Sequence, residues 1–163
     1  MNRVDFAVTS ALMYSGVLFV HSWIRWVVIL LGVLATARAL GARGRPWTAA
    51  DDRPGLFFTI AFDVQFLIGL CLYLFISPNT ASAMQNAGAA MANAQARFWL
   101  VEHPFGMIAA LVLAHIGRVR VRKGFGDRRP RTAALFYGLA TLILLITQPW
   151  PGLPYGRPLF RGW

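Results

Sequence analysis

Residues 56–76 read LFFTIAFDVQFLIGLCLYLFI, and this stretch decides the fold class. Its only charged side chain is Asp63. A helix needs about 20 mostly apolar residues to cross the hydrocarbon of a bilayer, so the stretch predicts a transmembrane helix. Three more stretches have the same character, at residues 11–37, 98–116 and 132–147. Because these spans are too long and too uniformly apolar for barrel strands, we predict an all-α integral membrane four-helix bundle made of two helical hairpins.

The composition supports a membrane protein and argues against a soluble one. Of the 163 residues, 57% are hydrophobic and 13% are charged, and the mean hydropathy is +0.53. Soluble domains carry about 25% charged residues, and disordered chains have low hydrophobicity. The net charge of +10 would suggest nucleic acid on a soluble protein. In this apolar background it predicts a lipid bilayer as the partner and no nucleic acid.

Most of the 16 Lys and Arg residues fall in two loops between the predicted spans. The loop after the first span holds Arg38, Arg43, Arg45 and Arg53, and the loop after the third holds Arg118, Arg120, Arg122, Lys123, Arg128, Arg129 and Arg131. Cytoplasmic loops are enriched in such cations. The pattern therefore predicts a single multi-pass domain in a bacterial inner membrane, with both termini and the loop at residues 77–97 on the outer, periplasmic side.

Two outer segments have their own patterns. In the outer loop, Met84, Met91 and Phe98 recur at helical spacing, which predicts a surface helix running into the third span. The tail at residues 148–163 contains Pro149, Pro151, Pro154 and Pro158, which predict an extended strip. Its aromatic side chains suit the membrane interface; they are Trp150, Tyr155, Phe160 and Trp163.

Two histidines are predicted to lie at the same depth in the membrane. His21 precedes Arg38 by 17 residues and His103 precedes Arg120 by 17, so each lies about 25 Å from the cytoplasmic boundary. Two imidazoles at one level inside an apolar bundle are what a haem b held between the first and third helices requires. The alternative is two separate interfacial histidines, each hydrogen-bonded to water or to a carbonyl.

The intramembrane charges predict an ion pair. Arg25 would lie about 20 Å and Asp63 about 15 Å above the cytoplasmic boundary, so the two can pair and offset the cost of burying charge. Glu102 is a competing partner for Arg25, and a haem propionate is a third. His115, near the inner face, is interpreted as an interfacial residue or as the sole axial ligand of a haem or pigment.

Other chemistries have less support in the sequence. A zinc site formed by His21, His103 and Glu102 lacks an H-E-x-x-H pattern. No G-x-S-x-G, P-loop or G-x-G-x-x-G motif is present, and one cysteine cannot form an internal disulfide. An electron carrier or an accessory subunit is therefore favoured over an enzyme.

The chain resembles a group of small four-helix bacterial membrane proteins, some of them named cytochrome B or cytochrome b-like. The resemblance covers nearly the whole chain and rests on HSWIRW, FDVQFLIGLCLYLFISP, RFWLVEHP and ITQPWPGLPYGRPLFRGW. It implies a membrane bundle and haem ligation by His21 and His103. This chain carries Asp63 where members of the group tend to carry a histidine.

Two functional hypotheses follow. The first is a haem b protein that transfers electrons between a quinol and an outer acceptor, with Trp23, Trp26 and Trp99 packed around the ring. The second is a cofactor-free accessory subunit of a larger respiratory or photosynthetic membrane complex. In a phototrophic host, a single histidine could ligate a chlorophyll-type pigment instead. A small transporter with Asp63 and Arg25 as relay groups is a third interpretation.

Overall fold

The computed structural model describes residues 3–162, without the side chains of Arg3, Val4, Phe6 and Ala7. The predicted outer positions of the Arg3 side chain and of Trp163 lie outside the described residues. The helices are α1 (Arg3–Gly41), α2 (Ala49–Cys71), α3 (Pro78–Gln85), α4 (Ala87–Ala92), α5 (Ala94–Arg97), α6 (His103–Lys123) and α7 (Arg128–Ile146). Wide π-type turns at Leu72–Ile76 and Phe98–Glu102 extend α2 and precede α6.

Four helical segments are long and apolar enough to cross a membrane, which confirms the predicted all-α membrane bundle. They are Val8–Gly41, Ala49–Ile76, Ala94–Lys123 and Arg128–Ile146. Most of them extend several residues beyond the predicted spans. The prediction followed the apolar residues, whereas a helix continues as long as its backbone hydrogen bonds can form, including through the arginines at its ends.

The four long helices surround one core. α1 packs against α2 and α7, and α6 packs against the same two helices, so α1 and α6 face each other across the bundle. The core holds large side chains such as Phe58, Phe62 and Tyr137, with Phe58 edge-on to Tyr137 at 6.0 Å between ring centroids. The outward faces of the helices are apolar, as at Leu30 (67% exposed) and Phe105 (69% exposed). Such a surface is suited to contact with a lipid bilayer.

The outer loop is helical but is not one helix, which corrects that prediction. Asn86 and Asn93 interrupt it, and their side-chain oxygens accept hydrogen bonds from the backbone N–H groups of Ala89 and Ala96. An asparagine side chain competes with the helix backbone in this way and favours a new helix start. The loop therefore consists of α3, α4 and α5.

At the opposite end, which we call the Arg-rich end, the chain connects α1 to α2 and α6 to α7. Asp51 is 2% exposed and accepts two hydrogen bonds from Arg45, at 2.7 and 2.8 Å. The backbone N–H and the hydroxyl of Thr48 also donate to Asp51. Hydrogen bonding to Asp51 raises the pKa of the Arg45 guanidinium. These contacts fix the start of α2.

Candidate functional site

A cavity of about 210 Å³, here called the histidine cavity, lies between α1, α2 and α6 at the end opposite the Arg-rich end. Its walls are mostly apolar and aromatic, including Phe62, Phe66 and Trp99. α3 contributes Asn79 and Thr80. His21 and His103 both line it, from helices that face each other across the bundle. The structure thus brings the two predicted histidines to one site.

His103 is held in one tautomer by the end of α7. Its Nδ1 lies 2.9 Å from the carbonyl oxygen of Thr147. A carbonyl oxygen only accepts, so Nδ1 carries the proton and Nε2 keeps a free lone pair. Histidines that bind metal usually have this arrangement, in which the other ring nitrogen donates to a carbonyl or carboxylate.

The turn before His103 explains its position. Pro104 has no backbone N–H, so the carbonyl of Leu100 loses its partner in the helix. The hydroxyl of Tyr73 on α2 donates to that carbonyl at 3.0 Å. This contact ties the start of α6 to the end of α2 and fixes the direction in which His103 enters the bundle.

His21 is positioned by α2. The side-chain amide of Gln65 donates to the backbone carbonyl of His21 at 2.9 Å, and the same nitrogen lies 3.3 Å from Nε2 of the ring. The ring packs on Gly69, where an added Cβ would come within 2.9 Å of the His21 Cε1. Only a residue without a side chain leaves room for the imidazole there. Gln65 and Gly69 therefore set its place.

Several buried polar atoms at this end have no hydrogen-bond partner among the described residues. They are His21 Nδ1, Arg25 Nε, Gln65 Oε1 and Trp99 Nε1. A second cavity, of about 20 Å³, is lined by His21, His103, Arg25 and Gln65 together. An unpaired buried polar group costs about 1–3 kcal/mol, so a cluster of them favours a site that binds a polar or metal-containing ligand.

The predicted ion pairs of Arg25 are wrong. Arg25 donates through Nη2 to the carbonyl of Leu159 at 2.9 Å. Asp63 instead lies 2.7 Å from Nε2 of His115, and Glu102 pairs with Arg97 at 2.7 Å. Depth along a helix was predicted from residue counts, but the direction of each side chain around the helix was not. Asp63 points to α6, away from Arg25 on α1.

The tail does not form a helix, as its prolines predict, but it is a series of turns and not the predicted extended strip, with the N–H of Arg157 bonded to the carbonyl of Pro149 at 3.0 Å. It folds back onto α1. The Nε1 atoms of Trp23 and Trp26 donate to the carbonyls of Arg161 and Leu159, at 3.1 and 3.0 Å. Phe160 stacks on Trp26 with ring centroids 5.6 Å apart. The tail aromatics thus pack on the chain itself.

The middle of the tail contacts the segment before α6, and one of its residues lines the histidine cavity. Tyr155 lies parallel to Phe98 with ring centroids 3.7 Å apart. Arg157 lies over the Trp99 ring at 5.1 Å and lines the cavity. A cation over an aromatic face is held electrostatically as well as by packing. Arg157 therefore places a positive charge at the edge of the histidine cavity.

The residues of the site fit an iron porphyrin better than a zinc ion. Within residues 3–162 no three His, Cys, Asp or Glu side chains come together as a metal site, and Glu102 is paired with Arg97, so a zinc site with His21 and His103 is not formed. His103 offers a free Nε2. The 3.3 Å contact at His21 Nε2 is long for a hydrogen bond and is easily exchanged for a metal bond. Gln65 keeps its shorter bond to the His21 carbonyl in that case.

Four residues of the site were not singled out from the sequence as candidates: Gln65, Gly69, Thr147 and Arg157. Gln65 carried a signal, since an uncharged amide in the middle of an apolar span needs a partner. Thr147 contributes only its backbone carbonyl, which every residue has, and no sequence pattern marks it. The histidine pair itself was found because depth can be counted along helices.

Comparison of the chain with protein-family models, with curated proteins and with solved structures finds no significant match.

Proposed function

We propose that the protein is a small membrane cytochrome b-like electron carrier that holds one haem b between α1 and α6, with His21 and His103 as its axial ligands. The observation that carries this proposal is the convergence of the two histidines on one apolar cavity, with the Nδ1 of His103 bonded to the Thr147 carbonyl. When bound, haem supplies a reversible one-electron couple at its iron.

The chain's own residues would set the environment of that group. Thr147 holds the His103 ring in the tautomer that leaves Nε2 free, and Gln65 holds the backbone of His21. Arg157 and Arg25 supply positive charge next to the cavities, which suits the propionates of haem. The mostly apolar walls of the histidine cavity would keep the local dielectric low, which affects the redox potential.

The proposed setting is a bacterial inner membrane with the Arg-rich end in the cytoplasm and both termini in the periplasm. In this orientation the histidine cavity lies near the periplasmic face. Electrons would pass from a quinol in the bilayer to an outer acceptor, with other membrane subunits as partners. The protein would carry electrons without transforming a substrate.

The test is a visible spectrum of the full chain, purified in mild detergent from cells supplied with a haem precursor, first oxidised and then reduced with dithionite. We expect a Soret band and a sharp α-band on reduction. His103→Ala and His21→Ala should each remove or broaden the α-band, because loss of one axial ligand changes the spin state of the iron.

The matched control is His115→Ala, which removes the third histidine of the chain, away from the histidine cavity. This variant should keep the wild-type spectrum. Absence of a Soret band from folded wild-type protein would overturn the haem proposal and favour the cofactor-free accessory subunit. An unchanged α-band in His21→Ala would remove His21 as a ligand.

A further inference from the structure

A third cavity, of about 250 Å³, lies at the Arg-rich end and is unrelated to the histidines. We call it the basic cavity. Its lining residues come from the loop before α2, the start of α2, the end of α6 and the start of α7. They are Trp47, Thr48, Ala49, Asp52, Arg118, Arg122 and Arg129. Residues far apart in the chain thus surround one space.

The basic cavity has an excess of positive charge. Three arginines line it with one carboxylate, Asp52, which pairs with Arg118 at 2.7 Å. Arg129 donates through Nε to the carbonyl of Gly124 at 2.6 Å. Within the described residues neither Arg122 nor Arg129 forms an ion pair. Their guanidinium groups therefore have donors available for an anion.

Arg118 is held at the wall of the basic cavity. Its side chain is 15% exposed, its Nη1 contacts one oxygen of Asp52, and it interacts electrostatically with Tyr137. A guanidinium has five N–H donors in a planar fork, so these contacts leave donors free. Arg118 is thus a preorganised donor at the wall of the cavity and loses little freedom when it binds a ligand.

The start of α2 forms one wall of the basic cavity. Asp51 and Asp52 direct their backbone N–H groups to the carbonyl of Thr48. Ala49 precedes them in the first helical turn, where backbone N–H groups have no partner within the helix, and it lines the basic cavity. The carboxylates of Asp51 and Asp52 lie in the same turn and offset the positive end of the helix dipole, so the positive charge of the cavity comes from its arginines.

We propose that the basic cavity binds a phosphate group, carried either by the headgroup of an anionic phospholipid or by a free phosphate. Arginine forks match phosphate oxygens in geometry as well as charge. Basic pockets between transmembrane helices bind anionic headgroups, and Trp47 is of the type that lies at the level of headgroups. This site goes beyond the proposed electron transfer and does not depend on haem.

The test compares two variants of equal net charge in the full chain, purified in a lipid-free detergent. Arg122→Gln/Arg129→Gln removes two arginines of the basic cavity. Arg128→Gln/Arg131→Gln removes two arginines nearby that do not line it. Native mass spectrometry measures binding of phosphatidylglycerol and of phosphatidylcholine to each, and circular dichroism checks that each is folded.

We expect the wild type and the Arg128→Gln/Arg131→Gln control to bind phosphatidylglycerol in preference to phosphatidylcholine. Binding to Arg122→Gln/Arg129→Gln should be roughly 25-fold weaker, at about fivefold per arginine. Arg129 also bonds to the Gly124 carbonyl, so its loss could prevent folding of the double variant. In that case the single variant Arg122→Gln replaces it in the binding measurement, with Arg128→Gln as the control. Equal binding by the cavity and control variants, or no preference for the anionic lipid, would overturn the proposal.

A second arm identifies the source of the phosphate. Inorganic phosphate is titrated into wild-type protein that is loaded with phosphatidylglycerol. Displacement of the lipid, with a dependence on Arg122, would assign the site to a free phosphate. Retention of the lipid at phosphate concentrations in large excess would assign it to the headgroup. Either result supports a phosphate site, provided that the variants behave as expected.

Discussion

Two clusters of polar groups, one around Asp51 and one around the histidine cavity, differ in how completely they are hydrogen-bonded. At the Arg-rich end, Asp51 accepts hydrogen bonds from Arg45 and Thr48, and Asp52 pairs with Arg118. At the other end, buried polar atoms of His21, Gln65 and Trp99 have no partner within the described part of the chain, although they line one cavity.

This difference indicates which polar groups serve the fold and which serve a ligand. A buried polar group that is fully hydrogen-bonded stabilises a local structure, whereas one that is left unpaired costs free energy. The unpaired atoms around the histidine cavity therefore favour a ligand there, whereas the Asp51 contacts stabilise the start of α2. The basic cavity lies at the same end as Asp51 but is a separate feature, since its arginines have donors available.

The largest expected effect is a loss of stability when the Asp51 contacts are removed. Asp51→Ala removes the acceptor for Arg45 and for the Thr48 N–H, so the free energy of unfolding should fall by about 2–3 kcal/mol. Unfolding by SDS in mixed micelles measures this change. Arg43→Gln, an exposed arginine of the same loop, should change it by less than about 0.5 kcal/mol. A change in the reduced spectrum of folded Asp51→Ala would show that the Asp51 contacts and the histidine cavity are not independent.

The second test is a steric change beside the His21 ring in the histidine cavity. Gly69→Ala places a methyl group against the His21 ring, so it should destabilise the fold by about 1–3 kcal/mol and shift the reduced α-band. Gly16→Ala on α1 is the control, because nothing lies within 4 Å of its added Cβ. There the same substitution should stabilise the helix by about 0.5–1 kcal/mol. Equal effects of the two variants would show that the His21 contact is not a constraint.

The third test concerns the contact between the tail and α1. Phe160→Ala removes the ring contacts with Trp26 and Trp23, whose centroids lie 5.6 and 5.8 Å away. The free energy of unfolding should fall by about 1 kcal/mol. Near-ultraviolet circular dichroism should lose part of its tryptophan signal. Phe125→Ala is the control at the Arg-rich end, since that ring is 82% exposed. If both variants lose the same stability, the tail does not pack on the bundle as described.

The smallest expected effect is at the Asp63–His115 pair, which lies between the two ends on the outer face of α2 and α6. Both side chains are nearly half exposed, so the contact is open to its surroundings. A double-mutant cycle with Asp63→Asn and His115→Ala should give a coupling energy of about 0.6 kcal/mol, the average for polar contacts between membrane helices. Additive single effects would show that the pair contributes no coupling.

The membrane bundle could be predicted from the sequence because hydropathy is a local property. Residues 56–76 are apolar in any arrangement of the chain, and a helix satisfies their backbone groups without help from other segments. The level of His21 and His103 could be predicted for a related reason, since a helix rises by a fixed amount per residue.

The partners of the intramembrane charges could not be predicted in the same way. At the depth of Asp63, a partner could come from more than one neighbouring helix. Asp63 pairs with His115 and not with Arg25 because of how α2 is rotated about its axis. The tail gave a similar difficulty. Its prolines exclude a helix, but nothing in them indicates that Leu159 and Arg161 would accept hydrogen bonds from the side chains of α1.

Three features could thus be read from the residues alone, because each depends on neighbouring residues along one helix or loop. They are the number of apolar helices, the level of the two histidines and the two arginine-rich loops. The packing of the helices was needed to show that the histidines share a cavity, that Gln65, Gly69 and Thr147 position them, and that three arginines line a separate cavity. Those features depend on the rotation and pairing of helices, which are set by the packing of all four together.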